Sequence, residues 1–70
     1  MKRKQRELTG VLQITPLGNL GQLHFLRTKE GNCWRLDVAP ERVRHLNGLA
    51  VQVRGEEAGG VIQVRSIAQA

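Results

Sequence analysis

Apolar and polar residues alternate along five segments of the chain, as in strands that bury one face and expose the other. In the first segment Leu8, Gly10, Leu12 and Ile14 share one side, with polar residues and one valine on the other. Gly10 weakens a flat strand and therefore predicts a bulge or a sharp bend there. The alternation predicts a mainly β fold with strands over residues 8–15, 22–28, 33–38, 49–55 and 61–68.

One segment, residues 39–48, carries the signals of a helix instead. Pro40 suits a first helical turn, the helix dipole favours Glu41 beside it, and Gly48 suits the left-handed residue that ends a helix. The predicted chain order is therefore three strands, one short helix and two strands.

The second and third strands are predicted to form a hairpin in one of two registers. In one register Phe25 shares a face with Trp34. In the other, a three-residue loop sets Leu26 opposite Leu36 and places Phe25 on the opposite face, beside Arg27. The two registers exchange core and surface, because neighbouring strand residues point to opposite faces.

The fourth and fifth strands are predicted to form a second hairpin around a polar, glycine-ended loop over residues 56–60. Matching the apolar faces pairs Val53 with Ile62 and Val51 with Val64. The polar residues between these positions then face solvent.

The length of the chain limits its chemistry. Seventy residues make one domain, and a domain of this size buries only about 60% of the surface that its unfolded chain exposes. Little room is left for an enclosed active site. The sequence also shows no nucleophile and base arrangement and no phosphate-binding glycine loop. We therefore expect a protein that is not an enzyme and has no catalytic residues.

The metal-ligating residue types are few and scattered. Cys33 is the only cysteine, so no intramolecular disulfide can form, and His24 and His45 lie on different predicted elements without metal-site spacing. We expect no metal and no cofactor. No apolar run has the length of a signal peptide or a membrane span, so we expect a cytoplasmic protein that does not associate with membranes.

The net charge of +5 is concentrated at the beginning of the chain. Four of the 11 basic residues fall within the first six positions, and the rest of the chain contains seven basic and six acidic residues. A short basic end of this kind is typically disordered and solvated. We predict a disordered basic tail over residues 1–6 and a single domain over residues 7–70.

The order of the elements resembles that of the OB-fold, a five-stranded Greek-key barrel with one short helix between strands three and four. The chain is similar to small bacterial single-domain OB-fold proteins that combine a Leu-x-Gly-x-Leu strand, a Thr-x-x-Gly turn, an apolar-x-Leu strand and a Leu-x-Gly-x-x-Val-x-Val end. An SH3-like barrel is the main rival, and the helix after the third strand argues against it. The matching residues are Leu8, Gly10 and Leu12; Thr28 and Gly31; Trp34 and Leu36; Leu46, Gly48, Val51 and Val53; and the closing Ile62, Val64 and Ile67.

The resemblance implies a binding surface for single-stranded DNA or RNA. OB-folds of this type use the face of strands two and three, where aromatic rings stack on bases and basic residues follow the phosphates. The corresponding candidates are Lys2, Arg3, Lys4 and Arg6 in the tail; Phe25, Arg27, Lys29, Trp34 and Arg35 on strands two and three and their turn; and Arg54 and Arg65 on the last hairpin.

Two alternatives compete with this hypothesis. A small domain with only two aromatic residues has a strong need of both in its core, and burial of Phe25 and Trp34 would remove the stacking surface. The protein would then be a module for oligomerisation or for binding another protein. A small-molecule site is a lesser alternative, because a minimal barrel is filled by its own side chains. Candidate apolar contacts for a protein partner are Val11, Leu17, Leu20 and Val61.

Overall fold

The computed structural model describes residues 3–70. Its regular elements confirm the predicted mainly β fold with five strands and one short α-helix between strands three and four. A single 3₁₀ turn, Gly18–Leu20, follows the first strand. The elements are β1 (Lys4–Pro16), β2 (Gln22–Arg27), β3 (Cys33–Asp37), α1 (Pro40–Val43), β4 (Ala50–Ala58) and β5 (Val61–Gln69).

The five strands form one sheet that closes on itself through a ring of hydrogen bonds, in the order β1-β2-β3-β5-β4. The long strand β1 closes the ring because it has two partners: residues 11–16 pair with β2, and residues 4–11 pair with β4. β3 and β5 are parallel, whereas every other pair is antiparallel. Each strand therefore has one face toward the centre of the ring and one face outward.

The centre of the ring is filled by branched aliphatic side chains from all five strands and from α1. The partly buried residues Leu8, Ile14, Trp34, Val38, Leu46, Val64 and Ile67 pack against them. The buried aliphatic residues are Leu12, Leu26, Leu36, Val43, Val51, Val53 and Ile62.

Gly10 lies where β1 passes from one partner to the other. The next residue, Val11, pairs with both Arg27 of β2 and Ala50 of β4. A Cβ atom on Gly10 would overlap the backbone carbonyl of Arg27. The absence of a side chain lets the two strands approach here, and the ladder with β4 runs through Gly10 without a bulge.

The predicted tail over residues 1–6 is corrected for residues 4–6, which belong to β1. They extend the ladder with β4, so that Lys4 pairs with Glu57. The basic character of this segment hid its strand pattern, because Lys4 and Gln5 are exposed and Arg6 is only half-buried. Residues 1 and 2 lie outside the described part of the chain.

The predicted register of the last hairpin is wrong. Val53 pairs with Ile67, and Val51 pairs with Gln69. The predicted loop over residues 56–60 is in fact mostly strand, since β4 runs to Ala58 and the turn is made by Gly59 and Gly60 alone. An irregularity between Arg54 and Gly55 shifts the pairing by one further residue, which a simple match of apolar faces could not reveal.

The predicted helix is also shorter than its sequence signals suggested. α1 ends at Val43, one turn after it begins at Pro40. The segment continues as hydrogen-bonded turns, in which the Leu46 N–H donates to the carbonyl of Val43 (2.9 Å). Gly48 adopts a positive φ of 80°, as predicted for the residue that ends the segment.

Candidate nucleic-acid interface

Phe25 lies on the outer face of the sheet, in the middle of β2. Its neighbours His24 and Leu26 are both buried, so the alternation of the strand directs Phe25 outward. Its cross-strand partners are Gln13 of β1 and Arg35 of β3. The ring is half-buried, which leaves part of it accessible between these two polar neighbours.

The register of the first hairpin explains this orientation. The Thr28 N–H donates to the carbonyl of Asn32 (2.9 Å) across a three-residue loop, in which Gly31 takes a φ of 87°. Leu26 then pairs with Trp34, which differs by two residues from the Leu36 partner predicted for a three-residue loop. The predicted consequence of that loop, with Phe25 on the same face as Arg27, is nevertheless what the structure shows.

Arg27 and Arg35 lie on the same outer face as Phe25. Arg35 is the direct cross-strand neighbour of the ring, and Arg27 follows two residues later on the same strand. Both are exposed, and neither forms an ion pair with any residue between 3 and 70. Lys29, in the turn beyond Arg27, is likewise exposed and unpaired within the described chain. The outer face therefore combines one aromatic ring with two arginines, and the adjoining turn adds a third cation.

A cleft of about 550 Å³ opens at the other end of this face. The ladder between β2 and β3 stops at Phe25 and Arg35, and β3 then turns to β5, so the first residues of β2 separate from β3. Leu20, which is 86% exposed, stands at the rim of the cleft. The cleft also contacts Gln22, Asp37 and Val61.

His24 lines the deep side of the cleft and is only 5% exposed. The Gln22 side-chain amide donates a hydrogen bond to Nε2 of His24 over 2.8 Å. Burial lowers the pKa of His24 below its ordinary value, because the charged imidazolium loses hydration. At neutral pH the ring is therefore neutral and accepts this hydrogen bond.

Trp34, the other aromatic candidate, lies on the inner face. It pairs with the buried Leu26 and packs against the core. The guanidinium of Arg6 lies 5.5 Å from the centroid of its ring, within cation–π range. Trp34 is thus an internal packing residue and is separated by the sheet from the face that carries Phe25.

The other described arginine candidates are engaged with carboxylates on the side of the ring formed by β1, β4 and β5. Arg6 contacts Glu57 over 2.6 Å and Arg54 contacts Glu7 over 3.2 Å. Arg3 and Arg65 share Glu56. These pairs are largely exposed and add little to stability individually, but they lower the positive potential there. Lys4 lies in β1 beside Glu57, and Lys2 lies outside the described residues.

The structure thus separates the candidates into two groups. Phe25, Arg27 and Arg35 share the outer face of β2 and β3, and Lys29 lies in the turn that joins these strands, whereas Trp34 and the other described arginine candidates do not join them. The sequence reasoning missed Gln22 and Asp37, which line the adjacent cleft. The sequence feature that could have identified them is their position at the start of β2 and the end of β3, near the loop after β1.

The described residues 3–70 contain no cluster of three or more His, Cys, Asp or Glu that could hold a metal ion. In the same range, no helix has the length and apolar character needed to cross a membrane.

Comparison with known proteins gives one finding. The family model described as "Protein of unknown function (DUF5818)" matches residues 9–70. No curated protein and no solved structure matches the chain.

Proposed function

The chain belongs to the DUF5818 family, which has no known function, and we propose from its geometry that it is an OB-fold module that binds single-stranded nucleic acid. Binding is weak and has little sequence preference. It uses the outer face of β2 and β3, with Phe25 as the stacking ring and with Arg27, Lys29 and Arg35 as phosphate contacts.

The strand connections support the OB-fold part of the proposal. The strand order β1-β2-β3-β5-β4, the sharing of β1 between β2 and β4, and the parallel contact of β3 with β5 are those of this fold. The position of α1 between β3 and β4 also agrees. The outer face of β2 and β3 is then the surface on which OB-folds bind single strands.

One observation carries the functional part: Phe25, the outward aromatic ring of residues 3–70, has Arg35 across the ladder and Arg27 two residues along its own strand, and neither arginine forms an ion pair within that range. A half-exposed ring can stack on any base, and each stacked base contributes about 1–3 kcal/mol. A guanidinium without a carboxylate partner is available for a phosphate, which it can contact through two parallel hydrogen bonds. The combination favours a single strand over a duplex, because the bases of a duplex are already stacked.

The test is a fluorescence anisotropy titration with short labelled DNA and RNA single strands at low salt. Replacement of Phe25 by alanine should raise Kd about tenfold, which corresponds to the loss of one stacked base. Phe25→Trp should retain affinity, because the larger ring also stacks. Arg54→Ala is the matched control and should leave Kd unchanged, since Arg54 is paired with Glu7 on another part of the surface. Equal affinity for the wild type and Phe25→Ala would refute the proposal.

A second candidate function, the binding of another protein, is favoured by Leu20. This side chain is 86% exposed at the rim of the cleft, and Leu17 nearby is 40% exposed. Val11 is 39% exposed, whereas Val61 is half-buried. If these residues form a self-association surface, light scattering should show a concentration-dependent mass that Leu20→Ser reduces to that of the monomer. A monomer at all concentrations would exclude self-association through this patch.

A further inference from the structure

One edge of β1 has no strand beside it among residues 3–70. Residues 4–11 pair with β4 on one side, but the ladder with β2 on the other side begins only at Val11. Residues 4–10 therefore present an open edge within the described chain. The direction of the backbone groups follows from Leu12, whose N–H donates to Leu49 (3.0 Å) on the β4 side. Because backbone groups alternate along an antiparallel strand, Gln5, Glu7 and Thr9 direct their N–H and C=O groups to the open edge.

A groove of about 560 Å³ runs beside this edge. Residues 7–11 of β1 line one side, and residues 27–30 at the tip of the first hairpin line the other. The lining is more apolar than polar, and Leu8, Val11 and Ala50 contribute to it. The groove therefore offers side-chain contacts next to a row of unused backbone groups.

The far side of the groove contains a buried polar atom without a partner. Thr28 is 8% exposed, and its Oγ1 is the one buried side-chain polar atom of residues 3–70 that makes no hydrogen bond. A buried hydroxyl without a partner is costly. The wall of the groove is therefore not fully satisfied by hydrogen bonds within residues 3–70.

The charges around the groove favour an acidic occupant. Arg27 and Lys29 form no ion pair within the described chain, whereas Glu7 is held by Arg54 (3.2 Å) and accepts a hydrogen bond from Gln52 (2.8 Å). Glu30 is the one groove carboxylate without an ion pair in the described chain. Two available cations therefore face one available anion.

The same edge is poorly suited to pairing with a second copy of itself. An antiparallel pair that uses the whole edge, residues 4–10, is centred on Glu7 and sets the two Glu7 side chains against each other. Like charges directly opposite each other destabilise a strand pair. The open edge is thus better matched to a different chain.

We propose that this groove binds an extended peptide with acidic side chains, which adds to the open edge of β1 as a further strand. Backbone hydrogen bonds to Gln5, Glu7 and Thr9 hold the peptide, as in other cases of strand addition. Its apolar side chains lie on the same face as Leu8, and its acidic side chains lie on the opposite face, toward Arg27 and Lys29. The proposal is independent of nucleic-acid binding, although Arg27 borders both surfaces.

The test uses amide hydrogen exchange by NMR on the full chain, with a blocked peptide of alternating valine and glutamate as the probe. Addition of the peptide should slow the exchange of the Gln5, Glu7 and Thr9 amides, which are the groups at the open edge. The amides of Leu8 and Gly10, which face β4, should change much less. A matching peptide with lysine in place of glutamate should bind at least about tenfold more weakly, because it repels the two cations.

The variant Thr9→Pro removes one edge N–H and leaves the ladder with β4 intact, because proline is tolerated where the missing N–H faces solvent. It should raise Kd for the acidic peptide about tenfold, and Thr9→Ala should retain it. Phe25→Ala should also retain it, which separates this site from the nucleic-acid face. A probe peptide with N-methyl groups on the residues that face β1 repeats the test on the unaltered protein, should Thr9→Pro fail to fold.

Two results would overturn the proposal. One is an unchanged exchange rate at Gln5, Glu7 and Thr9 when the acidic peptide is in excess. The other is protection of these amides from exchange without peptide, if that protection becomes stronger as the protein concentration rises. Such a result would show that a second copy of the chain occupies the edge.

Discussion

At the scale of single residues, two glycines are required by close backbone contacts and not by turn geometry. Gly10 faces the carbonyl of Arg27, and Gly55 faces the carbonyl of Gln63, in each case so closely that a Cβ atom would overlap the oxygen. Both lie where a ladder changes partner or register. The only ways to accommodate a side chain there are to separate the strands or to shift the pairing.

Replacement of Gly10 by alanine should therefore lower the free energy of unfolding by about 1–3 kcal/mol, the usual range for a group forced into a packed site. Urea unfolding followed by circular dichroism measures this change. Thr9→Ala, on the exposed face of the same strand, is the control and should have an effect within about 0.5 kcal/mol. An effect of Gly10→Ala no larger than that of the control would show that β1 and β2 can separate freely at this point.

His24 gives a second prediction at this scale. Burial lowers its pKa in the folded state, so at mildly acidic pH the unfolded chain binds a proton that the folded chain excludes. The free energy of unfolding should consequently decrease as the pH falls below the ordinary histidine value of 6.5. Urea unfolding at a series of pH values should show this decrease in the wild type. The control variant His45→Gln, which replaces an exposed histidine, should show it as well. His24→Gln should lose the part of the decrease that comes from this group.

At the scale of the elements, β2 and β3 have two faces with opposite tasks. The inner face carries Leu26, Trp34 and Leu36 against the core, and the outer face carries Phe25 with its flanking arginines. The two aromatic residues of the chain are thus divided between packing and surface. Substitutions on the two faces should have separable effects.

Trp34→Ala should lower the free energy of unfolding by about 3 kcal/mol, because it removes a large side chain that packs on the core. Phe25→Ala should cost clearly less, since the ring is half-exposed on the outer face. Both are measured by urea unfolding, and nucleic-acid affinity measured in parallel should follow the reverse order for variants that remain folded. Equal losses of stability would mean that Phe25 is also a core residue.

The strands and the short helix were predictable because apolar alternation and a proline-to-glycine segment are local signals. The registers were not. The pairing of Val53 with Ile67 depends on a shift at Gly55, and the strand character of Glu56 and Glu57 depends on partners at the beginning of β1. The candidate site was predicted only in part for the same reason: Phe25 and Trp34 look alike in the sequence, and only the register directs one outward and the other inward.

At the scale of the whole molecule, the basic side chains that have carboxylate partners within residues 3–70 are concentrated on one side. The carboxylates of Glu7, Glu56 and Glu57 pair with four arginines on the side of β1, β4 and β5. The cations of the outer face of β2 and β3 have no such partners in the described chain. The net charge of +5 therefore understates the asymmetry between the two sides.

This asymmetry predicts which arginines determine the salt dependence of nucleic-acid binding. Each phosphate contact contributes about one unit to the slope of log K against log salt. Arg27→Ala and Arg35→Ala should each reduce the slope by about one, whereas Arg54→Ala and Arg65→Ala should leave it nearly unchanged. Anisotropy titrations at several salt concentrations supply the slopes. Equal slopes for all four variants would place binding elsewhere.

The two partners of β1 also set the order in which the chain can fold. The half of β1 that pairs with β2 is close to its partner in the sequence. The other half pairs with β4, which is distant in the sequence: Arg6 and Glu57, which are in contact there, are 51 residues apart. Proteins that rely on such distant contacts fold slowly, in milliseconds to seconds. During synthesis, the first hairpin is therefore complete before the beginning of β1 has anything to pair with. That segment is made well before its partner β4 and is among the last to be fixed in place.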